Sequence, residues 1–497
     1  MDNERGQSKI YKQPLTDSEL RANPVPISGT VTATIDKTGL ATDTLQTTGN
    51  TSLNNIDTNL GAKADASASS DTGTFSLIAF IKRALTKLTT ISTTQTDGSQ
   101  KAQIGFYDSA NLDAFARVRV SEPANRFDGE FTYDTLEEII DDVKAGAGTI
   151  THQANTRDVL LKANGTTTGD YAGLHSFPVP YTPGCSQLIE ITGVLDYAAI
   201  GSGTAQLFLR SKITGTVQEE VYDQADWDSP NNDIDWTKSL IFLMDFQSLR
   251  VGRIRYGLVR NGVPTYVHEI INDNVRNSGY WQTPSLPLYW KIYNDSTYTY
   301  MEVGYGDDNN GIGFRYRIAK NSLASMIAIC GTVKSEGGKS LFEMDGFPQS
   351  ANSNVTAKTV STTLIPLLSV RPRTTFNSIP NTSIAIPTYI SVQTDNPIRI
   401  GVWHDATLTG ASWADVDTNH SIMEYDTTAS AFTGGHRILS EYVATSKNIQ
   451  TSARSLMGKA VLWARKNGYT GILTVAAIRT TTTNASVLTS LNWEEIR

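Results

Sequence analysis

The stretch VGRIRYGLVRNGVPTYVHEI, residues 251–270, decides the class of fold. Ile254, Tyr256 and Leu258 alternate with Arg253, Arg255 and Gly257. That two-residue period belongs to a strand with one buried face. Asn261 and Gly262 then supply the positive φ angles that a tight hairpin turn needs. Pro264 has no amide proton to give, so the return strand is expected at a sheet edge, or to begin late.

Working outward from the hairpin, the pattern repeats. SQLIEITGVL, AQLFLRSKI, YTYMEVGYG, GFRYRI and SMIAICGTV read as strands. So do IAIPTYISV, PIRIGVW, HRILSEYV, GILTVAAI and the terminal VLTSLNWEEIR. Short strands broken by Gly, Asn and Asp predict sandwiches or jelly rolls. Around Glu336 to Thr356 the composition shifts to Gly, Ser and Asn, which marks a linker. Residues 155–345 are therefore expected to form one β-sandwich and residues 346–497 a second. ASWADVD between two of the later strands reads as a short helical turn.

Upstream the reading changes. Residues 1–23 are polar, carry both charge signs and suggest an extended arm. PVPISGTVTATI, residues 24–35, has two prolines and then the alternation Ile27, Val31, Ile35 of a short strand. From Val31 to Ser70 the chain is mostly Thr, Ser, Asn, Asp, Ala and Gly. One apolar segment then stands alone: DTGTFSLIAFIKRALTKLTTI, residues 71–91. Its Ile78, Ile81, Leu85 and Leu88 follow the spacing of a coiled-coil seam, as do Leu53, Ile56 and Leu60 before it. Lys82, Arg83 and Lys87 fall on other faces, and Asp71, Thr72 or Thr74 is expected to cap the helix. A helix this short is marginal alone in water. Phe75, Leu77 and Phe80 widen its apolar face, which suits more than two helices or a helix lying on another surface. Residues 1–70 are thus read as an extended anchoring arm of short strand and coil, and 71–100 as a helical neck for self-association. Docking of that helix on the chain's own globular part is the alternative.

Residues 101–154 read as a connector. It holds a short strand, AFARVRV, and a helix in DTLEEIIDDVKAG. Asp134 and Glu137 have capping-box spacing, Leu136, Ile139, Ile140 and Val143 form one face, and Gly146 ends it. Glu137, Glu138, Asp141 and Asp142 then make the solvated face of that helix, a simpler account than a catalytic one.

The 497 residues are too many for one ordinary core. With 39% hydrophobic and 19% charged residues, the composition is that of a Thr/Ser-rich, β-leaning protein. A formal net charge of -8 argues against nucleic-acid binding, which calls for a basic surplus or stripe. Two cysteines, Cys185 and Cys330, make no disulfide framework, and small buried thiols are the first reading, a bridge the second. The start, MDNERGQSK, has no apolar signal region, and no run reaches the length of a membrane span.

No catalytic set is complete. His268-Glu269 begins like a zinc-protease helix, but Asn272 stands where the second histidine belongs. Gly304 to Asn309 lacks the third glycine of a dinucleotide loop and misplaces Gly311 for a calcium loop, so a hairpin turn is expected. No nucleophile elbow is present, and the six histidines are scattered. No enzyme activity, cofactor or metal is expected from these patterns. The best candidate site is DWDSPNNDIDW, residues 226–236. There Asp226, Asp228, Asp233 and Asp235 suit a hard cation such as calcium, and Trp227 and Trp236 suit stacking on a sugar ring. A polar loop whose tryptophans tuck into the core is the simpler alternative.

PVPISGTVTATI with DTGTFSLIAFIKRALTKLTTI resembles the N-terminal stalk of virion proteins from tailed bacteriophages. FDGEFTYDTLEEII, PYTPGCSQLIEI, DFQSLRVGRIRYGLVRNGVPTYVHEI, TPSLPLYWKI, LLSVRPRTTFN and LNWEEIR resemble a recurring phage domain pair, spread over most of the chain. The middle domain is similar to a lectin-type jelly roll. The resemblance implies a tail fibre or spike, or a baseplate-attached protein, oligomeric and often trimeric. It implies a particle assembled in the host cytoplasm, on which residues 1–70 are held by other virion proteins. The outer β domains would then meet a cell-surface glycan. A head-decoration or head-fibre protein is the alternative. A virion-borne glycan depolymerase is less favoured, for want of paired acids with a supporting histidine or nucleophile. The motifs behind the resemblance serve packing and turns, so no receptor-binding residue carries over.

Overall fold

The hairpin forms as read. Its strands run Ile254–Arg260 and Val263–Ile270, with Arg260 opposite Val263. Asn261 and Gly262 hold φ at 51° and 78°. Pro264 lies on the outermost strand of its sheet, where a missing N–H breaks no ladder bond.

The computed structural model describes residues 43–62, 65–70, 74–96, 112–113, 123–229, 233–247, 249–353, 356–444, 449–452, 460–466 and 471–497. The expected strands within residues 24–35 and 114–120 lie outside them, as do the suggested caps Asp71 and Thr72. The chain is mainly β and divides into two units, residues 1–105 and 106–497.

In the smaller unit two helices are described, α1 (Asp43–Leu60) and α2 (Leu77–Thr96). The arm of residues 1–70 is expected to be extended apart from the seam spacing of Leu53, Ile56 and Leu60; that spacing extends into a helix over Asp43–Leu60, where the helical period prevails over a Thr/Asn-rich composition. Gly61, at φ +76°, ends α1 in the left-handed conformation common after a helix. Ser76 caps α2 in place of Thr74, its Oγ 3.3 Å from the Ala79 N–H. Lys82 and Arg83 reach back to the carbonyls of Asp65 and Ala68.

The larger unit begins with a sandwich of fifteen described strands. They are β1 (Ala124–Glu130), β2 (Ile140–Ala145), β3 (Thr149–Gln153), β4 (Asp158–Lys162), β5 (Tyr171–Ser176), β6 (Gln187–Val194), β7 (Thr204–Ser211) and β8 (Gln218–Asp223). The rest are β9 (Leu240–Phe246), β10 (Ile254–Arg260), β11 (Val263–Ile270), β12 (Leu288–Asn294), β13 (Tyr298–Gly306), β14 (Gly311–Ala319) and β15 (Ser325–Ser335). One sheet runs β11-β10-β9-β6-β15-β4-β3, with β1 also on β15. The other runs β2-β5-β12-β13-β14-β7-β8. Their facing sides hold the core, including Trp290, Phe242, Phe314 and Tyr305. A second sandwich follows, its sheets built around Ala485–Ile496 with Ile384–Thr394, and around Leu473–Arg479 with Ile398–His404.

Further expectations change in the larger unit. The helix read at residues 134–146 is a turn followed by β2. Asp134 Oδ1 accepts the Leu136 N–H at 2.8 Å, and Leu136 takes a φ of 58°, which no helix admits. Its apolar spacing fitted both periods, and pairing of β2 with β5 decides between them. The connector therefore dissolves, and the first sandwich starts at Ala124 instead of residue 155. ASWADVD holds a two-residue strand, Ala414–Asp415, paired with Met423–Asp426, in place of a helical turn. Cys185 and Cys330 are free thiols, each only partly buried.

Candidate functional site

The register of the seven-stranded sheet lines up its outward side chains in rows. Val143, Gly173, Lys291, Glu302, Arg315, Gln206 and Asp223 are cross-strand neighbours across all seven strands. On one side of that row run His175, Tyr289, Gly304, Gly313 and Phe208. On the other side run Tyr171, Tyr293, Tyr300 and Arg317.

The central row is an ion-pair network around Glu302, whose side chain is 0% exposed. Lys291 Nζ lies 3.1 Å from Glu302, Arg315 3.4 Å and Arg210 3.5 Å. The Tyr293 hydroxyl donates to Glu302 at 2.9 Å. Glu219 bridges Arg210 and Arg315 at 2.6 and 3.0 Å. Burial alone would push the Glu302 carboxyl up, but Lys291, Arg210 and Arg315 outweigh it and hold it well below the usual carboxylate range. For Lys291 burial dominates and lowers the ammonium pKa, with Glu302 acting the other way.

The inner row closes the floor. A Cβ at Gly304 would meet the Tyr289 hydroxyl at 2.7 Å, and one at Gly313 would meet Phe208 Cζ at 2.8 Å. Both rings lie over glycine backbone and are fully buried. Lys291 sits 4.9 Å above Tyr289 and Arg210 4.8 Å from the Phe208 centroid, so cations alternate with rings.

The outer row stays partly exposed. Tyr293 and Tyr300 stack with centroids 5.0 Å apart at 20°, and Tyr171 lies 6.4 Å from Tyr293. Tyr298 meets Tyr300 edge-on and carries Arg317 over its own ring at 5.0 Å. The Tyr300 hydroxyl donates to Asp295 at 3.0 Å, and burial, together with that carboxylate, pushes its pKa up to about 12. A row of fixed rings beside charged groups can stack flat apolar faces and bond to the polar edges around them.

A cleft of about 500 Å³ opens between the two sandwiches. Glu137, Asp141 and Asp142 line one side, and Arg371, Trp413 and Arg465 the other. Arg371 lies 4.1 Å from the Trp413 ring centroid, and Arg465 pairs with Asp405 at 2.5 Å. Asp141, expected on a solvated helix face, is buried in β2.

The structure does not build the site expected at residues 226–236. Trp227 and Trp236 are 3% and 8% exposed and belong to the core, where Trp236 stacks between Phe242 and Tyr316. Their N–H groups are satisfied by Tyr222 O and Gln224 Oε1, so neither ring faces a ligand. The carboxylates go separate ways. Asp228 accepts the Glu269 N–H, Asp233 pairs with Arg260, Asp235 accepts from Thr237, and Asp226 is exposed. Among the described residues no three metal-binding side chains converge. His268-Glu269 lies in strand β11, and Gly304 to Asn309 spans the β13–β14 hairpin turn, with Asp307 Oδ1 accepting the Asn309 and Asn310 N–H groups at 2.7 Å.

The seam residues of the helical unit are exposed, save Ile78, which is half-buried. Leu85 and Leu88 are 56% and 60% exposed, and Leu53, Ile56, Leu60 and Ile81 are likewise open. Among the described residues no helix is long and apolar enough to cross a membrane.

Sequence reading missed the tyrosine rows. The signal was present in YTYMEVGYG, where Tyr298, Tyr300, Glu302 and Gly304 alternate with the apolar core side. A strand with a face of tyrosine and acid needs a polar partner face, and only the register names it.

No family model matches the chain, and no curated protein does. Among solved structures, an endo-1,3-beta-glucanase from Streptomyces sioyaensis matches at 10% identity, over 43% of this chain and 97% of that one, with a TM-score of 0.26. The carbohydrate recognition domain of Emp47p matches at 10% identity, over 44% and 98%, with a TM-score of 0.18. A tandem CBM22 domain pair from Paenibacillus barcinonensis Xyn10C matches at 9% identity, over 76% and 98%, with a TM-score of 0.19. Likenesses this weak decide neither ligand nor activity.

Proposed function

We propose that this chain is a fibre- or spike-like structural protein of a tailed-phage particle, a homotrimer whose β domains bind a host-surface glycan. The observation that carries the glycan reading is the outer row Tyr171, Tyr293 and Tyr300 beside its buried ion-pair floor. Sugar rings offer flat C–H faces to aromatic rings and hydroxyls to fixed polar groups. Here the rings are held in place before any ligand arrives, which lowers the ordering cost of binding.

The trimer reading is supported by the open seam of α1 and α2. Identical stripes from two further copies would cover the exposed parts of Ile81, Leu85 and Leu88. The particle reading rests on the resemblance of the stalk and domain pair to phage virion proteins.

Two measurements test this. Full-length protein on a host-surface glycan array should bind, and the double variant Tyr293→Ala, Tyr300→Ala should lose at least tenfold in affinity; equal binding by the variant removes the glycan reading. Gold-labelled antibody against the C-terminal domain, viewed on intact particles, should mark the tail end. Gold over the head would make this a decoration protein, and unlabelled particles beside a labelled coat protein would end the particle reading.

A further inference from the structure

The cleft between the two sandwiches holds a cation and an anion that do not meet. Arg371 lies on the strand Ile365–Pro372, opposite Glu424 of Met423–Asp426. Its Nε is 3.4 Å from Glu424 Oε1, and its guanidinium carbon is 4.1 Å from the Trp413 ring centroid. The ion pair and the ring together hold the plane of the group. Nε is buried, but Nη1 and Nη2 stay open to water, and among the described residues no acceptor bonds them. Those two nitrogens form the end of the fork, which presents a pair of parallel N–H donors.

On the other wall Glu137 sits in the turn before β2, where the Leu136 carbonyl accepts the Ile139 and Ile140 N–H groups at 2.9 and 2.8 Å. Glu137 is exposed, and among the described residues its carboxylate has no hydrogen bond or ion pair. Asp142, in β2, pairs with Lys144 at 3.0 Å, and Asp405 is taken by Arg465. Arg371 and Glu137 thus line one cleft of about 500 Å³ without pairing across it. That volume is that of a small-molecule site, and Ile140, Ala406, Leu408 and Ile472 give it an apolar lining. A carboxylate matches the Nη1–Nη2 edge, and an ammonium, with three donors and no acceptor, matches the Glu137 carboxylate. We propose that this cleft binds a small zwitterion, its carboxylate on Arg371 and its ammonium at Glu137. An anion alone fits less well, since Glu137, Asp141 and Asp142 line the wall it would face.

The test is calorimetric titration of the full-length protein with glycine, γ-aminobutyrate and ε-aminocaproate, which space the two charges differently. Caproate and hexylamine are the singly charged controls. One zwitterion per chain is expected, and the best of the three should bind at least tenfold more tightly than either control. Glu137 is exposed, so Glu137→Gln should fold like the parent, and it should remove the advantage over caproate. Arg371→Lys keeps the charge but not the paired donors, and should also cost at least tenfold. The proposal is overturned if no zwitterion binds at millimolar concentration, if caproate binds as tightly as the best of them, or if Glu137→Gln binds that zwitterion like the parent. Galacturonate bound more tightly than every zwitterion would give the cleft to an acidic sugar and overturn it too. The Tyr293→Ala, Tyr300→Ala variant should bind the zwitterion unchanged, so the fate of the glycan reading does not touch this one.

Discussion

At Glu302 burial and charge oppose each other, and the three cations win. Glu302→Gln would leave Lys291, Arg210 and Arg315 buried without their shared anion. The expected loss is about 3–5 kcal/mol in chemical denaturation. A loss under 1 kcal/mol would show that water already screens the network. Because the folded pKa lies below the ordinary 4.5, this carboxylate's contribution is complete above that value and is lost as pH falls beneath it. His175 acts at higher pH. Burial first, then Lys466 and Lys291, hold its pKa well below 6.5, so the folded state keeps it neutral. The unfolded chain takes up a proton as pH falls through about 6.5, and stability must fall with it. The urea midpoint should therefore drop between about pH 7 and pH 5, and His175→Gln should flatten that drop. An unchanged slope would assign the acid sensitivity elsewhere. At this scale the sequence named residue types but not their surroundings. Trp227 and Trp236 look alike in DWDSPNNDIDW whether they stack on a ligand or on Phe242 and Tyr316.

Elements were legible where two local signals agreed. The 254–270 hairpin had both alternation and an Asn-Gly turn, and it forms in that register. Gly262 has open space around it, so Gly262→Ala tests backbone conformation alone. At φ +78° it should cost about 1–2 kcal/mol by urea unfolding. Gly313→Ala should cost more, since its Cβ would strike Phe208 and the Val303 carbonyl. Where signals conflicted, pairing decided: DTLEEIIDDVKAG carried helix spacing and became β2 because β5 offered it a ladder. Ile81→Asp with Leu85→Asp should leave the β circular-dichroism signal intact but release monomers in sedimentation. A variant that stays trimeric removes the neck.

Across the larger unit, the two sandwiches share apolar surface. Ile384, Ile386, Val461, Trp463 and Ile496 belong to the first sandwich's core cluster, and Phe177 lies 5.9 Å from Trp463. The intact protein should therefore melt these two sandwiches in one calorimetric transition. Trp463→Ala, a large-to-small change in that core, should cost about 3–5 kcal/mol and split the transition in two. A single transition at lower temperature would mean that coupling runs through other contacts. The boundary near residue 345 was visible as a Gly/Ser/Asn shift, but composition says nothing about which faces meet.

By itself the sequence determined the mainly β class, the strand candidates after residue 155, the tight turn at Asn261-Gly262 and the seam spacing of the helices, because each is a local period or a local φ requirement. Tertiary structure alone decided that Tyr171, Tyr293 and Tyr300 share a row, that Glu302 meets three cations, and that Arg126 turns inward. Tyr171 and Arg210 come from strands far in sequence from the consecutive β12, β13 and β14 that carry the rest of the two rows, and the meeting depends on cross-strand register; the placing of Arg126 depends on one bulge. Register shifted by a single residue would send every one of these side chains to the opposite face.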